Sequence, residues 1–86
     1  MQRPWVSSKA YEAAIAFLIK QREGQQLTQR EFAERLGKPR SFVSKIEGRE
    51  RRIDVVEFVA IARALGLSAG LLMDELSKEL PEKLDF

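Results

Sequence analysis

The sequence predicts an all-α domain built from five short helices, and three observations predict it. Apolar residues recur at three- and four-residue spacing in several separate segments, the period of amphipathic helices. Helix-starting residues stand before these segments: Ser8, Thr28, Asp54 and Ser68, two of them followed three residues later by Glu. No segment shows the apolar-polar alternation of a half-buried strand, and no internal repeat or low-complexity linker divides the chain.

Taken in order, the first helix is expected over about Ser8 to Glu23, with Tyr11, Ala14, Ile15, Leu18 and Ile19 on its apolar side. Gly24 is expected to close it in the left-handed conformation. Thr28 and Glu31 form a capping box that starts a second helix, with Phe32, Ala33 and Leu36 inward and Gly37 at its end. A third helix runs from about Pro39, placed at the first helical position, to Glu47. Val43 and Ile46 face inward, while Arg40, Ser41, Ser44 and Lys45 fall on other faces. Gly48-Arg49-Glu50-Arg51-Arg52 forms a charged loop. Asp54 and Glu57 repeat the capping box before a fourth helix carrying Val55, Phe58, Ile61, Ala62 and Leu65, closed by Gly66. Ser68 starts a fifth helix with Leu71, Leu72, Met73, Leu76 and Leu80, stopped by Pro81, and Glu82 to Phe86 are expected to fray.

A chain of 86 residues holds one core, so residues 1–86 form a single domain: a core of about 8–76, an N-terminal arm 1–7 and an acidic tail 77–86. The longest apolar run, Ala13 to Ile19, is far short of the roughly 18 residues a spanning helix needs, so no membrane association is expected. The first residues never reach a signal-peptide core, which points to a cytoplasmic setting. Cysteine and histidine are both absent, which removes disulfides, thiolate nucleophiles, the usual zinc ligands and the commonest general base. With no phosphate-binding glycine loop either, no catalytic residue, metal site or cofactor is expected, and the chain is read as a non-enzyme. The net charge is only +2, but it is unevenly placed. From Thr28 to Arg52 eight Lys or Arg stand against four Glu, whereas from Met73 onward five acids oppose two Lys. A basic middle of this kind is the footprint of a polyanion partner.

The joint between the second and third helices has helix-turn-helix spacing. Ala33 sits where two steeply crossing helices bring their backbones together, and Gly37 where the turn needs positive φ. The run from Leu27 to Phe58, L-T-Q-x-E-F-A-x-x-L-G-x-P-x-S-F-V-S-K-I-E-x-x-E-R-R-I-D-V-V-E-F, resembles the XRE family of Cro/cI-type, lambda-repressor-like DNA-binding domains. The resemblance extends over roughly Ser8 to Leu76.

That resemblance implies a compact five-helix domain whose third helix enters the major groove, usually as a homodimer on a two-fold symmetric operator in double-stranded DNA. It implies a transcriptional regulator, repressor-like, of prokaryotic or phage type. Carried over by position, Arg40, Ser41, Ser44 and Lys45 face base edges, and Arg40 stands where relatives commonly carry glutamine. A guanidinium suits the paired acceptors of guanine. Gln29 corresponds to a phosphate-contacting glutamine at the second helix's start, Lys38 lies just before the reading helix, and Arg49, Arg51 and Arg52 are placed to meet phosphates. Arg51 and Arg52 have an alternative, surface pairing with Glu50, Asp54 or Glu57. Phe42 is expected at the core edge, and Trp5 as an anchor that pins the arm. Leu71, Leu72, Met73 and Leu76 exceed what one helix face needs for packing, which suggests a dimer surface. The acidic tail is either a docking segment for a protein partner or a solvated helix end. The rival function is an antitoxin or protein-interaction module of the same fold acting mainly through a partner.

Overall fold

The structure, a computed structural model, describes residues 4–86. Within them a 3-10 turn, Pro4–Ser7, precedes α1 (Lys9–Gly24), α2 (Gln29–Leu36), α3 (Arg40–Glu47), α4 (Val55–Ala64) and α5 (Ala69–Glu79). The expected five helices are present, and no strand occurs among the described residues. Residues 1–3 of the expected arm lie outside them.

Local chemistry accounts for the starts. Ser8, Thr28, Asp54 and Ser68 are all N-caps whose side chains accept a backbone N–H three residues on. The Thr28–Glu31 and Asp54–Glu57 pairs are complete capping boxes, with each carboxylate reaching back to the cap amide. The Thr28 amide and hydroxyl hold the Glu31 carboxyl below the usual range. Pro39 is displaced by one position from expectation: it is the N-cap of α3, with ψ 155°, and Arg40 is the first helical residue.

The helix ends share one device. After α1, α2, α3 and α4 the chain closes through paired backbone bonds to the last turn, with the hinge residue in the left-handed region. In α2 these are Gly37 N–H to the Glu34 carbonyl and Lys38 N–H to the Ala33 carbonyl. Gly37 and Gly66 supply the hinge for α2 and α4. For α1 the hinge is Gln26, at φ 59°, and not Gly24, which is still helical; for α3 it is Arg49, at φ 57°.

Phe17, Leu27, Phe32, Ala33, Val43, Ile61, Ala62, Leu65, Leu72 and Leu76 form one buried cluster joining all five helices. Ala33, 1% exposed, lies in the tight α2–α3 crossing, the closest-packed pair in the domain. Two apolar expectations fail. Val55, expected inward on α4, is 83% exposed. Val55 is the first residue of α4, while Phe58, Ile61, Ala62 and Leu65 pack in or against the core as expected. Leu72 and Leu76, assigned to a dimer surface, are buried in this chain's own core, because α5 packs them against α1 and α4. Leu71 and Met73 stay exposed.

The tail is not frayed. It returns to the start of α1, where the Asp85 carboxylate accepts the Lys9 and Ala10 amides at 2.8 and 2.9 Å, and the Ser8 hydroxyl donates to Asp85. Those amides are the unpaired donors of a helix's first turn, and the carboxylate meets the positive end of the helix dipole. These bonds hold the Asp85 carboxyl at about 2.

Candidate nucleic-acid interface

Helix α3 is held from below and bare above. Val43 and Ile46, 2% and 5% exposed, anchor it on α2 and α1, and their spacing turns Arg40, Ser41 and Lys45 into solvent. Ser44 is half-buried and donates its hydroxyl to the Ser41 carbonyl at 3.2 Å, a local back-bond. The structure thus brings together the four residues expected to read bases, three of them fully open.

Beneath this face runs a polar network that sequence reasoning missed. Arg22, near the end of α1, donates Nε and Nη2 to the two carboxylate oxygens of Glu47, at 2.7 and 3.0 Å, and Nη1 to the Leu27 carbonyl at 2.6 Å. Both side chains are nearly buried. The Glu47 carboxylate holds the Arg22 guanidinium above its ordinary range. Gln29 joins them, its amide nitrogen donating to Glu47 at 2.9 Å. The residue expected at a DNA phosphate is therefore oriented by a carboxylate at the far end of the recognition helix.

The loop after α3 is equally tied. Phe42 lies at the core edge, as expected, with Lys38 Nζ 5.6 Å and the Arg51 guanidinium 4.7 Å from its ring centre. Arg51 also makes a two-pronged pair with Glu57, the surface pairing weighed as its alternative, and this holds the Glu57 carboxyl below its usual range. Arg49 donates to Glu12 at 2.9 Å and to the Val6 carbonyl at 3.3 Å. The Arg52 guanidinium lies 5.3 and 5.8 Å from the ring centres of Tyr11 and Trp5. Trp5 meets Tyr11 edge-on at 5.3 Å, so it anchors the arm as expected.

The packing of α2 on α3 around a buried alanine, a left-handed glycine in the turn and an exposed basic second helix together make a helix-turn-helix. The helix-turn-helix family model HTH_3 matches residues 18–72, from the middle of α1 into α5. The chain belongs to this XRE-type helix-turn-helix family. Its fold is similar to that of an XRE-family like protein from Pseudomonas syringae pv. tomato str. DC3000, at 42% identity and TM-score 0.75 over 84% of this chain and 88% of that one. It is also similar to the clp gene regulator ClgR from Corynebacterium glutamicum, at 25% identity and TM-score 0.68 over 80% of this chain and 73% of that one. No curated protein sequence matches significantly. As an XRE-type helix-turn-helix protein the chain is a DNA-binding regulator and not an enzyme. Among the described residues no single helix is long and apolar enough to cross a membrane, and no cluster of potential metal ligands occurs.

Proposed function

We propose that this helix-turn-helix protein acts as a repressor-like regulator that reads the major groove of a two-fold symmetric operator with Arg40, Ser41, Ser44 and Lys45. The observation that carries this reading is the exposure of Arg40, Ser41 and Lys45 on a helix pinned by Val43 and Ile46. A rigid helix with basic and hydroxyl groups on its free side supplies donors for base edges at little entropic cost. Gln29 and Lys38 flank that surface, and the basic loop after α3 adds affinity at the DNA backbone.

The symmetric operator follows from a homodimer, and Leu71 and Met73, 66% and 46% exposed on α5, are its proposed contact. Two-fold symmetry would set two copies of α3 about 34 Å apart, one turn of DNA. Selection of bound duplexes from a random pool tests the reading. A palindromic consensus is the expected result, and a pool that stays unenriched overturns it. Sedimentation on the selected duplex tests the dimer: one chain per operator overturns that part, and Leu71→Asp should then have no effect on stoichiometry.

A further inference from the structure

The three arginines of the loop after α3 look alike in sequence, yet their surroundings differ in kind. Arg49 sits in the left-handed region and donates Nη1 to Glu12 and to the Val6 carbonyl. A non-glycine residue keeps that backbone conformation only where its surroundings hold it there. Arg51 lies over the Phe42 ring and gives both terminal guanidinium nitrogens to the Glu57 carboxylate. Each of these two charges is already neutralised by a carboxylate.

Arg52 is held by rings instead. Its guanidinium lies 5.3 Å from the centre of Tyr11 and 5.8 Å from that of Trp5, and the side chain is exposed. A ring attracts the guanidinium charge without consuming its N–H donors, whereas a carboxylate accepts those donors. The shelf is itself fixed. Trp5 and Tyr11 meet at 79°, and the Tyr11 hydroxyl accepts the Ile53 amide at 3.2 Å, which sets the backbone next to Arg52. The half-buried phenol is shifted upward by its burial, against the pull of that amide.

We propose that Trp5 and Tyr11 are positioning residues that present Arg52 as the phosphate-contacting cation of this loop, while Arg49 and Arg51 tether the loop to the domain. This rests on the DNA-binding reading above and divides the loop's labour further than that reading does. A guanidinium held over rings keeps its N–H donors available, and less side-chain freedom is lost when a phosphate oxygen arrives. The consequence is an energetic coupling between Trp5 and Arg52 in the affinity for DNA.

A double-mutant cycle on a duplex selected with the full chain tests it, with affinities measured from about 50 to 200 mM salt. Arg52→Gln, which keeps a flat stacking group without the charge, should lower the salt slope by about 0.9, the signature of one lost phosphate contact. Arg49→Gln and Arg51→Gln should leave that slope unchanged. Trp5→Ala should weaken binding about twofold to fivefold with Arg52 present, the range expected for loss of an exposed cation–π contact. It should cost nothing in the Arg52→Gln background, and Trp5→Phe should restore most of the affinity. Equal costs of Trp5→Ala in both backgrounds would assign it a purely structural role and overturn the proposal, as would an unchanged slope in Arg52→Gln. If the unaltered chain retains no duplex even at low salt, the DNA-binding reading fails and takes this one with it. Binding by the unaltered chain without Trp5–Arg52 coupling sinks this proposal alone.

Discussion

Arg22 and Glu47 are joined at two points across the contact of α1 with α3, and both oxygens of the carboxylate are occupied by the guanidinium. The pair does more than link helices: through Oε1 it also fixes the Gln29 amide at the start of α2. One carboxylate at the end of the recognition helix thereby sets the relation of all three helices that form the proposed DNA face. Glu47→Ala should lower stability by about 3 kcal/mol, because it leaves the nearly buried Arg22 charge with only the exposed Glu23 carboxylate 3.9 Å away. The double variant Arg22→Met with Glu47→Leu should be milder than the Glu47→Ala single, since an apolar pair leaves no orphaned ion. Urea denaturation midpoints at constant slope measure both. A double variant less stable than Glu47→Ala would show that the network contributes more than charge compensation.

The left-handed hinges give a second prediction. Gly37 has φ 68°, so Gly37→Ala should cost about 1–2 kcal/mol although open space surrounds the added methyl. Gly24 is helical with open space around it as well, and Gly24→Ala should stabilise by up to about 0.5 kcal/mol. Gln26→Gly, at φ 59°, should stabilise too by releasing the strain of a side chain in that region. Thermal denaturation of the three variants reads the signs. A destabilising Gly24→Ala with a neutral Gln26→Gly would return the hinge to Gly24.

What was legible in the sequence was local. Thr28 with Glu31, Asp54 with Glu57, and Gly37 each act within a few residues, so spacing revealed the helix starts and the turn, and the 3.6-residue period gave the exposed face of α3. The hinges at Gln26 and Arg49 were not legible, because the left-handed region is ordinarily signalled by glycine and here two long polar residues occupy it. Arg22–Glu47 and Ser8–Asp85 join residues 25 and 77 apart, and nothing in a one-dimensional charge pattern selects those partners. The loop arginines show the same limit. Their charge is written in the sequence, but whether a carboxylate or a ring receives it depends on which parts of α1 and α4 the fold brings beside them.

Asp85 gives a pH-dependent prediction. Its carboxyl is held at about 2 by the Lys9 and Ala10 amides, below its ordinary value of 3.8. A folded value below the unfolded one means that the contribution is complete above about 4 and is lost as pH falls toward 2. Asp85→Ala should therefore lower Tm at neutral pH, and the difference from the unaltered chain should shrink steadily from about pH 4 down to pH 2. Deleting Asp85 and Phe86 should reproduce the neutral-pH effect. A Tm difference that persists unchanged into acid would place the stabilisation in the chain's apolar contacts at Leu80 and Leu84 and not in the helix cap.

Arg40 tests the reading face most directly. It is the first residue of α3, exposed, and its position follows Pro39, whose fixed φ limits how far the helix start can move. A guanidinium so placed can donate two parallel bonds to the O6 and N7 acceptors of one guanine, an arrangement no other base offers. With a selected duplex in hand, Arg40→Ala should lose about 1–3 kcal/mol of discrimination at a single base pair per half-site while leaving preferences elsewhere intact. Arg40→Gln should shift that position toward adenine, because an amide matches the adenine N6 and N7 edge. Lys38→Ala, two residues earlier and outside the helix, should instead weaken all sequences alike and flatten the salt dependence. Equal binding by Arg40→Ala and the unaltered chain across every operator variant would remove Arg40 from the reading surface and leave base choice to Ser41, Ser44 and Lys45.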